Sequence, residues 1–204
     1  MKIICIGLNY RGHIVEMESS VPDVPVFFLK PDTAILRENR PLFYPDFTNR
    51  LEYETELVLR ISRLGRSISP KFASRYFTEI GIGLDMTARD LQKAHRSKGL
   101  PWEVAKSFDN AAPLSREFIP VSEISDLKNI EFGLDINGTT VQHGNSADMI
   151  FGFDEIISYV SKFITLKIGD LIFTGTPPGV GPVHVGDKLR AYIGNKTLLE
   201  LEVK

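Results

Sequence analysis

The sequence predicts an α+β fold in which short strands predominate and a few helices lie at the periphery. Most apolar residues occur in short runs or alternating stretches, which are typical of strands. Glycine and proline end most of these stretches, and helical spacing is clear in only a few places. The pattern lacks the regular alternation of strand and helix that builds a parallel Rossmann sheet, so it favours a β-rich mixed domain.

In the first half of the chain, each short apolar or alternating stretch bounded by glycine or proline predicts a strand. The predicted strands are residues 2–6, 26–29, 51–61 and 76–84. Helices are predicted at residues 13–20, 70–76 and 87–97. The second of these opens on a proline, and the third begins with Thr87-x-x-Asp90, which resembles a capping box. Residues 37–49 are rich in Pro, Asn and Arg and predict a loop.

In the second half, the dipeptide Asn137-Gly138 predicts a tight hairpin turn. The strands that it joins are predicted at residues 131–136 and 139–143. Residues 154–166 predict an amphipathic helix, because their apolar side chains recur on one helical face. Further strands are predicted at residues 171–174, 188–193 and 198–203.

The composition is that of an ordinary globular protein. The chain has 204 residues, a formal net charge of −2, 43% hydrophobic residues and 25% charged residues. This balance excludes intrinsic disorder, a basic nucleic-acid-binding module and a polybasic membrane module. No linker or repeat divides the sequence, so we expect one domain over residues 1–204. With one cysteine, no signal peptide and no apolar stretch long enough to span a membrane, we expect a cytoplasmic protein without nucleic-acid or membrane partners.

Two glutamates on the predicted strand 51–61 are the first candidates for a functional site. Glu54 and Glu56 are two residues apart, and the period of a strand therefore places both on one face. Neighbouring carboxylates repel each other unless a metal ion or a basic group neutralises them. The alternative is that both belong to the solvent-facing side of an amphipathic strand, with Arg60 supplying local charge balance.

A third carboxylate follows the glycine-rich strand 76–84. Asp85 stands at the turn into the next predicted helix. There it forms a salt bridge with Arg89, accepts from backbone N–H groups, or completes a set of three oxygen ligands with Glu54 and Glu56. Oxygen ligands of this kind suit Mg²⁺, Mn²⁺ or Ca²⁺ better than zinc.

A histidine and a glutamate near the N-terminus form a candidate general base. His13 and Glu16 are three residues apart and meet on one face if residues 13–20 are helical. A carboxylate that orients an imidazole makes a base able to act near neutral pH, whereas the alternative is an exposed helical pair. Lys106 is a candidate for stabilising an enolate or carboxylate, or it is simply solvated.

A glycine-rich loop at residues 173–181 follows an apolar strand. It lacks the ending of a Walker loop and the spacing of a dinucleotide fingerprint, which argues against nucleotide binding. Its backbone N–H groups either hold a substrate carboxylate or belong to a plain connection between strands.

Several motifs, in this order and spacing, resemble the fumarylacetoacetate hydrolase family over residues 6–203. They are Gly7-Leu-Asn-Tyr-Arg-Gly-His13-Ile-Val-Glu16, Phe28-Leu-Lys-Pro31, Tyr53-Glu-Thr-Glu-Leu57, Leu84-Asp-Met-Thr-Ala-Arg-Asp-Leu-Gln92, Gly99-Leu-Pro-Trp102, Ala105-Lys-Ser-Phe108 and Thr174-Gly-Thr-Pro177. The stretch 84–108 is most similar to the small acylpyruvase and oxaloacetate decarboxylase branch. Two departures stand out: Leu8 replaces the arginine of many relatives, and Glu52-Tyr53 replaces their histidines.

The resemblance implies a mixed β-roll, a homodimer, and a Mg²⁺ or Mn²⁺ ion, with Ca²⁺ a possible substitute in crystals. Residue by residue it implies metal ligands at Glu54, Glu56 and Asp85, catalytic residues at His13, Glu16 and Lys106, and substrate contacts at Arg89, Gln92, Gly175 and Thr176. It also implies that the N-terminal segment 1–45 contains a lid helix near residues 13–20.

The activity implied by the resemblance is metal-assisted cleavage of a C–C bond in a small 2-oxo acid. Both acylpyruvate hydrolysis and oxaloacetate decarboxylation pass through a pyruvate enolate, so one site suits either reaction. One alternative is an isomerase, tautomerase or hydratase of 2-oxo or 2-hydroxydienoic diacids. The other is a catalytically silent β-rich binding domain.

Overall fold

Short strands provide most of the regular structure of the computed structural model, which describes residues 1–37 and 39–204. In chain order the strands are β1 (Ile3–Gly7), β2 (Val26–Lys30), β3 (Ile35–Leu36), β4 (Leu51–Tyr53), β5 (Thr55–Ile61), β6 (Phe77–Leu84), β7 (Thr87–Ala88), β8 (Ala112–Pro113), β9 (Ile119–Pro120), β10 (Glu131–Ile136), β11 (Thr139–Asn145), β12 (Leu171–Phe173), β13 (Gly181–Pro182), β14 (Lys188–Ile193) and β15 (Lys196–Glu202). The α-helices are α1 (Arg11–Glu16), α2 (Pro70–Ala73), α3 (Arg89–Arg96), α4 (Glu103–Lys106) and α5 (Phe153–Phe163). The predicted α+β, β-dominated class is confirmed.

The strands form two main sheets and two small ones. The largest sheet has the order β2-β1-β12-β5-β6-β9, in which β1 and β12 are parallel and the other pairs are antiparallel. The second sheet has the order β11-β10-β14-β15 and is antiparallel throughout. The small sheets pair β13 and β7 with β4, and β3 with β8. The second sheet packs on β5 and β6, so the centre of the first sheet is covered.

The centre of the first sheet is buried on both faces. Every residue of β5 except Arg60 is buried. Strand β6 packs closely because of its glycines: a Cβ atom at Gly83 would lie 2.5 Å from Cε1 of Phe173. An added methyl group there would clash with the core, which explains why this apolar strand contains glycine.

The single strand predicted at residues 51–61 is wrong in two respects. The strand breaks at Glu54 into β4 and β5, which belong to different sheets. The side chains on both faces are buried, so the solvent-facing alternative for Glu54 and Glu56 is also wrong. The reason is long-range packing: the amide N of Thr55 donates a hydrogen bond to Oε1 of Gln142, on the second sheet.

The start of α3 also differs from the prediction. Thr87 lies in β7, opposite Glu52, and its hydroxyl donates to the carbonyl oxygen of Asp85 rather than capping a helix. The helix therefore begins at Arg89, without a side-chain cap.

The other predicted elements agree with the structure to within a few residues, whereas the short strands β3, β8, β9 and β13 and the helix α4 were not predicted. The predicted helices at 13–20, 70–76 and 154–166 correspond to α1, to α2 followed by a 3₁₀ turn, and to α5. Asn137 and Gly138 have φ angles of 53° and 83°, as a tight hairpin turn requires. Residue 38, in the predicted loop 37–49, lies outside the described residues. Among the described helices, none has the length and apolar character needed to span a membrane.

Candidate active site

Three buried carboxylates meet where β5 begins and β6 ends. Glu54 lies at the break before β5, Glu56 is the second residue of β5, and Asp85 follows β6. Pairing of Thr55 with Leu84 brings the three together, and the amide N of Asp85 donates to the carbonyl oxygen of Glu54 at 2.8 Å. One oxygen from each carboxylate lies within 4.8 Å of the others. The antiparallel register thus assembles the cluster from two distant stretches of sequence.

Two buried lysines compensate part of this negative charge. Nζ of Lys106 lies 2.7 Å from Oε2 of Glu54 and 2.9 Å from Oδ2 of Asp85. Nζ of Lys30 lies 2.8 Å from Oδ1 of Asp85 and donates to the carbonyl oxygens of Met86 and Lys106. Although burial alone would lower the pKa of Lys106, the carboxylates of Asp85 and Glu54 raise it. Burial alone would raise the pKa of Glu54, but Lys106 and Arg89 lower it.

Glu56 is the carboxylate that neither lysine reaches. Its Oε2 accepts a hydrogen bond of 2.7 Å from the amide N of Gly175. Burial, followed by the nearby charges of Asp85 and Glu54, raises its pKa well above the usual value of 4.5. The negative charge of the cluster is therefore incompletely balanced at Glu56.

The cluster has the ligand chemistry of a site for a hard divalent cation. Its donors are carboxylate oxygens, which Mg²⁺ and Mn²⁺ prefer. Both oxygens of Asp85 already face ammonium groups, whereas Glu56 accepts only from a neutral amide N–H. Three buried carboxylates of which one lacks a cationic partner fit a divalent ion.

Arg89 binds the carboxylate oxygen of Glu54 that Lys106 does not contact. Its Nε donates to Oε2 of Glu52 at 2.5 Å, its Nη2 to Oε1 of Glu54 at 2.5 Å and its Nη1 to Oε1 of Gln92 at 2.6 Å. Glu52 is itself buried and also contacts Nε of Arg50 at 2.6 Å. Glu52 therefore binds two arginines and does not face solvent. The Arg89 guanidinium in turn is bound by Glu52, Glu54 and Gln92.

His13 and Glu16 form the predicted pair on α1. Nδ1 of His13 lies 3.1 Å from Oε2 of Glu16, and the His13 side chain is buried. The alternative of an exposed pair is therefore wrong for His13. Glu16 is exposed, and its carboxylate also accepts from the amide N of Gly179 at 3.1 Å, which joins α1 to the glycine-rich loop.

A cavity of about 270 Å³ brings most of these side chains together. Eight of the residues singled out from the sequence line it: His13, Glu54, Glu56, Asp85, Arg89, Gln92, Lys106 and Thr176. Glu16 and Gly175 are not part of this lining, but they form hydrogen bonds with two residues that are, His13 and Glu56.

The sequence interpretation missed two buried polar residues beside the cavity. Lys30 carried one signal, because it is a charged residue at the end of an otherwise apolar strand and directly precedes a proline. Gln142 carried no such signal in the sequence, since it lies in a hairpin strand of mixed composition. Its Nε2 donates to Oγ1 of Thr176 and to the carbonyl oxygen of Pro177, both at 2.9 Å, so it fixes the glycine-rich loop.

Comparison with known proteins identifies the family. The family model described as "Fumarylacetoacetate (FAA) hydrolase C-terminal" matches residues 2–204. The chain belongs to the fumarylacetoacetate hydrolase family. It is 43% identical over 202 residues to the mitochondrial oxaloacetate tautomerase FAHD1 of Bos taurus, covering 99% of this chain and 91% of that protein.

Two further relatives within the family are informative. The oxaloacetate tautomerase YcgM of Escherichia coli (strain K12) is 43% identical over 198 residues, covering 97% of this chain and 90% of that protein. The crystal structure of fumarylpyruvate hydrolase from Pseudomonas aeruginosa, in complex with Mn²⁺ and pyruvate, has a TM-score of 0.94 and 35% identity. The match covers 100% of this chain and 89% of that chain. The family resemblance inferred from the sequence motifs is thus confirmed.

Proposed function

We propose that this chain is a divalent-metal-dependent enzyme that interconverts the keto and enol forms of oxaloacetate. The observation that supports this most strongly is the meeting of three carboxylates, Lys106 and the His13–Glu16 pair in one small cavity. The tautomerase relatives, at 43% identity over nearly the whole chain, favour this reaction within the family. Residues 1–204 then act as one catalytic domain, with α1 as part of its lid.

Glu54, Glu56 and Asp85 are the residues that would hold Mg²⁺ or Mn²⁺. When bound, the ion supplies Lewis-acid polarisation of a 2-oxo group. The fumarylpyruvate hydrolase of Pseudomonas aeruginosa forms a complex with Mn²⁺ and pyruvate, which supports both a divalent metal and a 2-oxo acid as ligands here.

His13 is suited to move the proton at the carbon next to the oxo group. The Glu16 carboxylate accepts from Nδ1–H of His13, which leaves the lone pair of Nε2 available as a base. In the conversion of keto to enol, one C–H bond breaks and its proton moves to Nε2, while the 2-oxo oxygen gains a proton. Lys106 stabilises the negative charge that develops on that oxygen and can supply its proton.

The second candidate reaction is cleavage of a C–C bond by acylpyruvate hydrolysis or oxaloacetate decarboxylation. The fumarylpyruvate hydrolase neighbour favours it. In hydrolysis, the His13–Glu16 pair would activate a water molecule instead of removing a proton from carbon. Product analysis with oxaloacetate and acetylpyruvate separates the candidates, because only cleavage releases pyruvate.

Mg²⁺ or Mn²⁺ is expected to raise the melting temperature of the protein relative to a sample in chelator. An ion at one hundred times its Kd stabilises by about 2.7 kcal/mol, which corresponds to a Tm increase of about 5–10 °C for a chain of this length. Glu54→Gln should lose the increase, whereas Glu200→Gln, at an exposed position of β15, should retain it. No increase at millimolar metal would favour the silent binding domain.

His13→Ala is expected to lower kcat for tautomerisation by about 10²–10⁴-fold, the usual contribution of a positioned acid–base group. Decarboxylation of oxaloacetate should fall much less, because it needs neither proton removal from carbon nor an attacking water. His143→Ala is the matched control, since His143 is exposed on β11. Equal loss of both activities in the His13 variant would contradict this division of roles.

A further inference from the structure

One face of helix α3 extends from the carboxylate cluster to the mouth of the cavity. Arg89, Gln92 and Arg96 all line the cavity, and their spacing of three and seven residues places them on the same side of the helix. Their exposure increases in this order: Arg89 is buried, Gln92 is half-buried and Arg96 is exposed. The helix therefore presents one cation at the inner end and another at the opening.

The inner cations are already engaged by carboxylates of the protein. Arg89 is bound by Glu52 and Glu54, and Lys106 by Glu54 and Asp85. Leu8 lines the same cavity and brings no charge. Apart from the proposed metal ion, the side chains at the inner end of the cavity therefore offer a substrate anion little free positive charge.

Arg96 differs from the other cations of the cavity. Within residues 1–37 and 39–204 it forms no ion pair with a carboxylate, and its hydrogen bond goes to a neutral group, Oγ of Ser19, at 3.1 Å from Nη2. A guanidinium has five N–H donors, so one bond to a hydroxyl leaves an edge able to bind a carboxylate.

We propose that Arg96 binds the second carboxylate of a dicarboxylic 2-oxo acid and makes the enzyme selective for such diacids. This proposal rests on the proposed function, in which the 2-oxo end of the substrate lies at Glu54, Glu56 and Asp85. The Cα atoms of residues 89 and 96 differ by about 10 Å along the helix axis, at 1.5 Å per residue. Helical side chains lean toward the N-terminus of their helix, which shortens this separation, and Arg96 is one of the residues that line the cavity.

A purely structural role for Arg96 makes a different prediction. If the residue only ties α3 to the segment after α1 through Ser19, then Ser19→Ala should reproduce the effect of Arg96→Gln. If Arg96 binds the substrate, Ser19→Ala should leave KM for oxaloacetate within about twofold of the wild-type value, because the guanidinium remains.

The decisive measurement compares oxaloacetate with 2-oxobutyrate, which has the same number of carbons and lacks the second carboxylate. Arg96→Gln is expected to raise KM for oxaloacetate at least about tenfold, through loss of a charge-assisted hydrogen bond, with a much smaller change in kcat. The inhibition constant of 2-oxobutyrate should change less than about twofold. Lys93→Gln removes the same charge from α3 at an exposed position outside the cavity lining and should leave both constants unchanged.

Three results would overturn the role of Arg96: an unchanged KM in Arg96→Gln, a parallel rise for oxaloacetate and 2-oxobutyrate, or an equal effect of Ser19→Ala. Wild-type protein that does not turn over oxaloacetate would instead refute the proposed function. In that case, calorimetric binding of the two acids to Mn²⁺-loaded protein tests Arg96 directly. A preference for oxaloacetate that Arg96→Gln abolishes supports the proposal, and no preference in the wild type refutes it.

Discussion

Asp85→Asn and Glu56→Gln are both expected to reduce turnover at least about a thousand-fold, but only Asp85→Asn is expected to destabilise the metal-free protein. Loss of a metal ligand removes several kcal/mol of transition-state stabilisation in either variant. Asp85 pairs with both Lys30 and Lys106, so Asp85→Asn leaves buried ammonium groups short of negative charge. The expected destabilisation is about 3–5 kcal/mol.

Glu56→Gln removes a charge that the metal-free protein does not balance. The side-chain oxygen of glutamine can still accept from the amide N of Gly175, while the repulsion from Glu54 and Asp85 disappears. The metal-free variant should therefore be as stable as the wild type, or more stable. Denaturant unfolding in chelator measures both variants, and Glu200→Gln serves as an exposed control. Equal destabilisation by the two substitutions would contradict the charge assignment of the cluster.

The raised pKa of Glu56 also predicts that the stability of the metal-free protein depends on pH. Because the pKa of Glu56 is raised in the folded protein, the folded state keeps a proton that the unfolded chain releases near pH 4.5. The stability of the metal-free protein should therefore decrease as the pH rises above that value and through the higher pKa of the folded state. Glu56→Gln should remove this contribution to the slope.

Lys106→Met is expected to lower kcat by about 10²–10³-fold while the affinity for Mn²⁺ stays the same or increases. The activity is expected to fall because the variant loses the group proposed to stabilise the developing oxyanion. The affinity does not fall because Nζ of Lys106 contacts Oε2 of Glu54 and Oδ2 of Asp85, and so competes with a cation for these oxygens. Steady-state kinetics and calorimetric titration with Mn²⁺ test the two parts separately.

Lys98→Met provides the control for Lys106→Met, since Lys98 is exposed beyond the end of α3. Loss of Mn²⁺ affinity in parallel with activity would mean that Lys106 serves mainly to shape the carboxylate cluster. Retained activity would remove Lys106 from the proposed proton transfer altogether.

The local pattern of the sequence predicted most elements of the fold and could not predict what covers them. The alternation over residues 51–61 indicated a strand and placed Glu54 and Glu56 on one face. The break at Glu54 and the burial of both faces depend on a sheet formed by residues 131–145 and 188–202, which no short window contains. The alternation therefore left open the alternative of a solvent-facing side, which the structure does not have.

The residues of the candidate site that belong to sequence motifs could be predicted. The contacts that bring them together could not, because they join distant parts of the chain. The pairing of Thr55 with Leu84 brings Asp85 to the glutamates, and this register does not follow from the composition of either strand. Gln142 reaches Thr55 across 87 positions of sequence. The hydrogen bond from Arg89 to Glu52 was likewise not predictable, because it forms only once the fold places β4 beside α3. The catalytic roles of the site residues remain predictions.

The attachment of α1 has a consequence for how the enzyme can diversify. The helix has six residues, and Glu16 links it to the glycine-rich loop through the amide N of Gly179. The three carboxylates lie in or next to strands of the sheets and Lys106 ends α4, whereas Arg11, Val15 and Glu16 are exposed on α1. Mutational libraries confined to residues 11–20 should therefore vary the proposed acid–base pair while the carboxylate cluster keeps its shape. This makes the segment the natural target for altering the proposed reaction without redesigning the scaffold.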